Sequence, residues 1–182
     1  MWIEITLFLI LTILILSHKK LRFTRIFKNY FKIFYNDSKK EDSKKRVCIY
    51  DLIILFVFPL LISIYLVWCK KILIIVVSDL ITIISIMSAL LFSLLPLLIS
   101  LQKTENARFN KAVEETFNVI SFEILLGIFA LFLLVFCKIS QGFVLNILNN
   151  LCYYIVSIYI INIFLILKRF AIIFTYKLEN NL

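Results

Sequence analysis

Long apolar runs constrain this chain more than any other feature. A bilayer core of about 30 Å is crossed by about 20 helical residues, with roughly 17 to 25 as the usual range. Hydrophobic residues make up 63% of the chain, against about 45–50% in soluble domains, which excludes a water-soluble globule. The sequence therefore predicts an all-α integral membrane protein with five transmembrane helices, at Trp2–Ser17, Ile49–Trp68, Ile72–Leu101, Val119–Cys137 and Phe143–Leu167.

The first of these runs is the least secure span. It is short and carries Glu4, and its basic residues follow the apolar stretch instead of preceding it. Because a cleaved signal peptide has the opposite charge order, we expect this segment to be retained. Without it, a four-helix core remains. The predicted organisation is an N-terminal span (1–17), a basic segment (18–48) and a four-helix bundle (49–182) containing a polar link (102–118).

The positions of the basic residues predict the orientation. Seventeen of the twenty Lys and Arg residues lie in the segment 18–48, the link 102–118 and the C-terminal tail. The other three are Lys70, Lys71 and Lys138, and none of the twenty lies within an apolar run. Cytoplasmic loops carry an excess of Lys and Arg. We therefore expect an inner-membrane protein with its N-terminus outside and its C-terminus in the cytoplasm.

A basic and aromatic segment at 21–35 predicts a helix at the membrane surface. At about 100° per residue, Phe23, Phe27, Tyr30 and Phe34 share one helical face. Basic clusters beside a span favour anionic lipid over nucleic acid, so no nucleic-acid partner is expected. The predicted headgroup contacts are Lys19, Lys20, Arg22, Arg25, Lys28 and Lys32. The polar segments 36–46 and 102–118 are the candidate docking sites for a cytosolic protein, and 102–118 is expected to be a helical hairpin that extends the third and fourth spans.

The third run carries a stripe of small residues, here called the small-residue stripe. Its members recur every three or four positions, which confines them to roughly 80° of a helix. Small residues let membrane helices approach closely, so the stripe predicts a helix-packing seam, with a polar pore lining as the alternative. The fourth run shows a weaker version of the pattern at Gly127 and Ala130. The small-residue stripe consists of Ser78, Thr82, Ser85, Ala89, Ser93, Pro96 and Ser100.

Polar residues within the apolar runs are candidates for function, because such groups are costly in lipid. Asp79 is predicted about 10 Å below the outer end of its run, at 1.5 Å per residue. We expect it to contact side chains of equal depth in the last run, either as a structural acid or as a proton- or cation-sensitive site. Glu123 is expected to form an interfacial pair with Asn162, Arg46 or Lys168. The full candidate set is Asp79, Asn149, Asn150, Tyr153, Glu123 and Asn162.

No pattern in the chain indicates catalysis. It contains one His, and its four Cys residues lack metal-type spacing. There is no glycine-rich phosphate loop and no spacing that suggests a nucleophile with a base. We therefore expect a protein that is not an enzyme and has no cofactor or metal.

Three functions remain open at this stage. The first is a self-associating membrane sensor or permeabilising effector with a cytosolic partner, by analogy with bacterial anti-phage, abortive-infection and toxin proteins of similar build. The second is a channel or the membrane subunit of a transporter. The third is an accessory or immunity protein that binds another membrane component.

Overall fold

The computed structural model describes residues 23–36, 42–68, 76–101, 107–139 and 143–180. Five helices occupy these ranges, and no residue within them belongs to a strand. The predicted all-α class is confirmed for this part of the chain. In chain order the helices are α1 (Phe23–Asn36), α2 (Asp42–Trp68), α3 (Val77–Leu101), α4 (Ala107–Ile139) and α5 (Phe143–Asn180).

Three of these helices are long and apolar enough to cross a bilayer, at Val77–Leu101, Phe109–Lys138 and Leu145–Lys177. The described apolar part of α2, Ile53–Trp68, is shorter. The run Trp2–Ser17 lies outside the described residues. Three of the five predicted spans are therefore supported by the structure, and the other two remain predictions.

The four long helices form a row in the order α2, α5, α4 and α3. Helix α5 packs against α2 and α4, and α4 also packs against α3. The shorter α1 packs against α4 and α2. We call the end where α4 meets α5 the hairpin end, and the opposite end the α1 end. Helix α3 lies at the edge of the row, with most of its surface free of the other helices.

The contact face of α3 is narrow and regular. Its buried residues are Val77, Ile84, Leu91 and Leu98, which are spaced seven residues apart. Seven-residue spacing keeps one line of side chains facing a neighbouring helix over several turns. Helix α3 therefore meets α4 along a single line of large aliphatic side chains.

The first turns of α4 come from the link 102–118. Residues 107–118 are helical and continuous with the rest of α4, whereas α3 ends at Leu101. The ring of Phe109 stacks on Tyr176 of α5, with centroids 5.2 Å apart. Among the described residues, α5, which continues to Asn180, packs on this extension of α4. Residues 102–106 lie outside the described ranges, so the expected hairpin remains a prediction.

Candidate functional site

Three fully buried polar side chains meet near the α1 end, and we call them the buried polar cluster. They are Tyr30 of α1, Glu123 of α4 and Asn162 of α5, each 0% exposed. Each lies on a different helix, so the cluster exists only when the three helices are packed together. It combines two residues from the predicted polar set with one, Tyr30, that was predicted to belong to a lipid-facing aromatic face.

Tyr30 is fixed by one hydrogen bond and one ring contact. Its hydroxyl donates to Oδ1 of Asn162 at 2.8 Å. Its ring stacks on Phe122 at 3.9 Å between centroids, with the planes 16° apart. Burial raises the pKa of the Tyr30 phenol above its usual value, and the nearby Glu123 carboxyl raises it further. The phenol is therefore neutral and acts as a donor.

Glu123 and Asn162 both have unsatisfied polar atoms. Neither carboxyl oxygen of Glu123 has a hydrogen-bond partner among the described residues, and neither does Nδ2 of Asn162. The Asn162 amide is nonetheless the neighbouring polar group that acts on the Glu123 carboxyl. A buried polar group without a partner costs about 1–3 kcal/mol, and a charged one costs more. An arrangement this costly is uncommon and points to a functional role.

Of the partners expected for Glu123, Asn162 lies beside it, and no basic side chain among the described residues pairs with it. Lys168 is exposed, and the side chain of Arg46 lies outside the described residues. Arg169, one residue after Lys168, pairs instead with Glu115 at 3.1 Å. Arg169 therefore faces Glu115, which lies eight residues before Glu123 on α4. At 1.5 Å per residue, the two acids are about 12 Å apart along the helix.

The polar residues at the hairpin end do not assemble around Asp79. Asp79 is exposed, and no hydrogen bond or ion pair joins it to the described residues. Asn150 accepts hydrogen bonds from Ser63 of α2, through its backbone oxygen at 2.9 Å and through its side chain. Oδ1 of Asn149 is buried without a partner in the described ranges, and Tyr153 is half-buried. The predicted contact with Asp79 is absent because α3 packs on α4 and not along α5.

The small-residue stripe lies on the side of α3 that faces away from the bundle. All seven of its members are exposed. Four of its five hydroxyls bond to the preceding turn of their own helix, as in the 2.7 Å bonds from Ser85 to the Ile81 carbonyl and from Ser93 to the Leu90 carbonyl. Within the described ranges no other helix covers this face, so the predicted seam has no counterpart in the described part of one copy.

The small residues of α4 are placed differently. Ala130 is 1% exposed, and Gly127 is buried. A Cβ at Gly127 would lie 2.5 Å from Oγ of Ser88 and 3.0 Å from the ring of Tyr159. These two side chains bond to each other at 3.1 Å. Side chains of α3 and α5 thus meet over Gly127 of α4. Ser88 was not singled out in the sequence because it lies off the stripe.

Helix α1 is amphipathic, but its apolar face contacts protein. Tyr30 and Ile33 are buried, and Phe31 stacks on Phe56 of α2 at 5.9 Å. The predicted headgroup residues Arg25, Lys28 and Lys32 are all exposed. Lys19, Lys20 and Arg22 lie outside the described residues.

Two cysteines meet at the hairpin end, in a pairing that sequence spacing did not indicate. The Sγ atoms of Cys137 and Cys152 are 3.0 Å apart, and both thiols are free and buried. Within the described ranges, no group of three or more His, Cys, Asp or Glu side chains is arranged to hold a metal ion.

Comparison with protein-family models, with curated proteins and with solved structures gives no match for this chain. The fold and the site define its class as a helical protein with three candidate membrane spans.

Proposed function

We propose that this chain is a non-enzymatic inner-membrane protein that associates with further copies of itself and either senses a disturbance of the membrane or permeabilises it. The observation that carries the proposal is the exposure of the whole small-residue stripe on α3. In the proposed orientation the α1 end is cytoplasmic, and a cytosolic protein docks there on the helical segment 107–118 or on 36–46.

The physical argument for self-association starts from the solvent. In lipid, apolar burial does not drive helices together, so close backbone approach and packing decide which faces associate. Only 11% of the most apolar window of α3 is buried, against 44% for α4 and 39% for α5. Its small residues thus form a smooth surface that a helix from another copy can approach closely.

Helix α1 supports the sensing half of the proposal. Its exposed Arg25, Lys28 and Lys32 are suited to anionic headgroups, each worth about 1 kcal/mol near such a surface. Its opposite face is inserted into the bundle at Tyr30. A change in the lipid surface that moves α1 therefore acts directly on the packing of α4 and α5.

A channel or transporter subunit is the second candidate. It is favoured by Glu123, a buried acid in a candidate span without a partner in the described residues. Intramembrane acids of this kind mark ion and proton pathways in many membrane proteins. This alternative predicts transport by single copies, with no requirement for the small-residue stripe.

The test is controlled expression in bacteria with a membrane-potential dye. We compare the native chain with a stripe variant, Ser85→Leu with Ala89→Leu, and with a matched control, Ile83→Leu with Ile86→Leu. Ile83 and Ile86 are 55% and 56% exposed on the same helix, so the control changes lipid-facing residues outside the stripe. We expect depolarisation by the native chain and the control, and its loss in the stripe variant.

Other outcomes separate the alternatives. Equal depolarisation by all three chains favours the channel or transporter. If none depolarises, photobleaching step counts in native membranes distinguish a self-associated sensor from a single-copy accessory or immunity protein. Single copies throughout contradict the proposal.

A further inference from the structure

The buried polar cluster has a chemical requirement that is independent of self-association. Glu123 is 0% exposed, and both of its carboxyl oxygens lack a hydrogen-bond partner among the described residues. An isolated buried carboxylate costs many kcal/mol, and such groups are found paired, neutralised or bound to a cation. The environment of Glu123 therefore decides which of these applies.

Among the described residues, no basic side chain of the surrounding helices neutralises it. On α5, Arg169 is bound to Glu115 and Lys168 is exposed. On α1, the basic residues Arg25, Lys28 and Lys32 are exposed on the opposite side from Tyr30. The only charged residue of α3 is Asp79, near the hairpin end. The described titratable groups near Glu123 are two phenols, Tyr30 and Tyr159, and the Arg169 guanidinium also acts on the Tyr30 phenol.

A metal cation does not fit the donors that are present. Hard divalent cations take six or more oxygen ligands, whereas the cluster offers two carboxyl oxygens, one amide oxygen and one phenol oxygen. The amide oxygen already accepts from Tyr30. A proton needs neither a cavity nor further ligands.

Protonation would satisfy the polar atoms that now lack partners. A protonated Glu123 donates its O–H to Oδ1 of Asn162, and Nδ2 of Asn162 donates to the remaining carboxyl oxygen. Because an amide carbonyl has two acceptor positions, the bond from Tyr30 is kept. On release, the proton leaves to water and the carboxylate retains the electron pair. The carboxylate then accepts from Nδ2, but its charge is costly while it stays buried, and water can reach it only if α1 moves away from the bundle.

From this complementarity we propose that Glu123 is a proton-binding site, and that the bound proton holds α1 against the bundle through Asn162 and Tyr30. Tyr30 is the group that links the site to α1, since its hydroxyl bonds to Asn162 and its ring stacks on Phe122. Docking of α1 is therefore complete at low pH and weakens as the pH rises through the titration of the site. Since α1 carries the exposed basic face, the site couples local pH to the position of that face.

The first test is infrared difference spectroscopy of the full chain in lipid nanodiscs. We expect the carbonyl band of a buried carboxylic acid at neutral pH and its loss at alkaline pH. We expect the band to disappear in Glu123→Gln. It should be retained in the control Asp79→Asn, because the Asp79 carboxyl that this change removes is exposed. Absence of the band in the native chain, or its persistence in Glu123→Gln, overturns the proposal.

The second test measures docking of α1 directly. Spin labels are placed at Lys32→Cys and Glu114→Cys, two exposed positions on α1 and α4, in a chain whose four native cysteines are replaced by alanine. We expect a narrow distance distribution that broadens at alkaline pH. In Glu123→Gln, which keeps an uncharged donor and acceptor, the distribution stays narrow at both pH values. A distribution that is unchanged by pH in the native sequence, or that broadens equally in Glu123→Gln, contradicts the coupling.

Discussion

The small-residue stripe and the buried polar cluster satisfy their polar atoms in different ways. Hydroxyls of the stripe bond to their own helix and are exposed outside the bundle. Side chains of the cluster are buried between three helices, where Tyr30 and Asn162 bond to each other and Glu123 has no partner among the described residues. A short hydroxyl side chain can face lipid at little cost because the preceding carbonyl is within reach. A carboxyl or amide on a longer side chain depends on a neighbouring helix.

This difference indicates where each region is sensitive to change. The stripe makes few contacts within the described part of one copy, and under the proposed function its substitutions act on contacts between copies. The cluster depends on the packing of α1, α4 and α5, and its substitutions act within one copy.

The largest expected effect is at Gly127. Even a Cβ at this position would lie too close to Oγ of Ser88, so the larger leucine side chain forces both Ser88 and Tyr159 to move. Overpacking costs about 1–3 kcal/mol and occasionally more, and we expect this change at or above the upper end. Thermal unfolding in detergent should show a clear fall in the midpoint for Gly127→Leu. The matched change Ala89→Leu, on the exposed stripe, should alter the unfolding free energy by no more than about 0.5 kcal/mol. Equal losses from the two changes would remove the distinction between the regions.

A smaller effect is expected at Asn162. Replacement by leucine leaves the buried Tyr30 hydroxyl without its acceptor, at a cost of about 1–3 kcal/mol. Asn146→Leu, at an exposed position of the same helix, is the control and should be nearly neutral. Adding Tyr30→Phe to Asn162→Leu should restore part of the lost stability, because the orphaned hydroxyl is then removed. Strictly additive losses would show that the hydrogen bond does not stabilise the folded chain.

The smallest effect is expected at the Arg169–Glu115 ion pair. The two side chains are 24% and 26% exposed, so water and salt screen the pair, and Glu115→Gln should cost about 0–1 kcal/mol. Unfolding midpoints at low and high salt measure this directly. The difference between the native chain and Glu115→Gln should shrink as salt is added. A loss of stability that is large and independent of salt would show that this ion pair is shielded from water, as the buried polar cluster is.

Periodicity in the sequence predicted which residues share a helical face, and the length of the apolar runs predicted the candidate spans in α3, α4 and α5. It did not predict which face meets which neighbour. In lipid, an apolar face can pack on another helix or face the bilayer. The positions of Ser85 and Ala89 therefore did not indicate which of the two their face contacts. Gly127 and Ala130, with the same kind of pattern, lie in the interior.

The partners of the polar residues were harder to predict for a related reason. Equal depth along two helices suggested a contact between Asp79 and Asn150, but α4 lies between α3 and α5 in the row. Tyr30 was predicted on an aromatic face directed to lipid. Its burial depends on α1 packing against α4 and α2, which local sequence does not specify.

The central claim is that the small-residue stripe of α3 faces a second copy of the chain. Its most direct test is cysteine crosslinking in native membranes with a short thiol-reactive reagent, in a chain whose four native cysteines are replaced by alanine. Ala89→Cys lies on the stripe, and Leu90→Cys is the control on a neighbouring exposed face, where the leucine is 55% exposed. The account predicts a covalent dimer for Ala89→Cys and a monomer for Leu90→Cys. Monomers for both, or a dimer for Leu90→Cys alone, would contradict it.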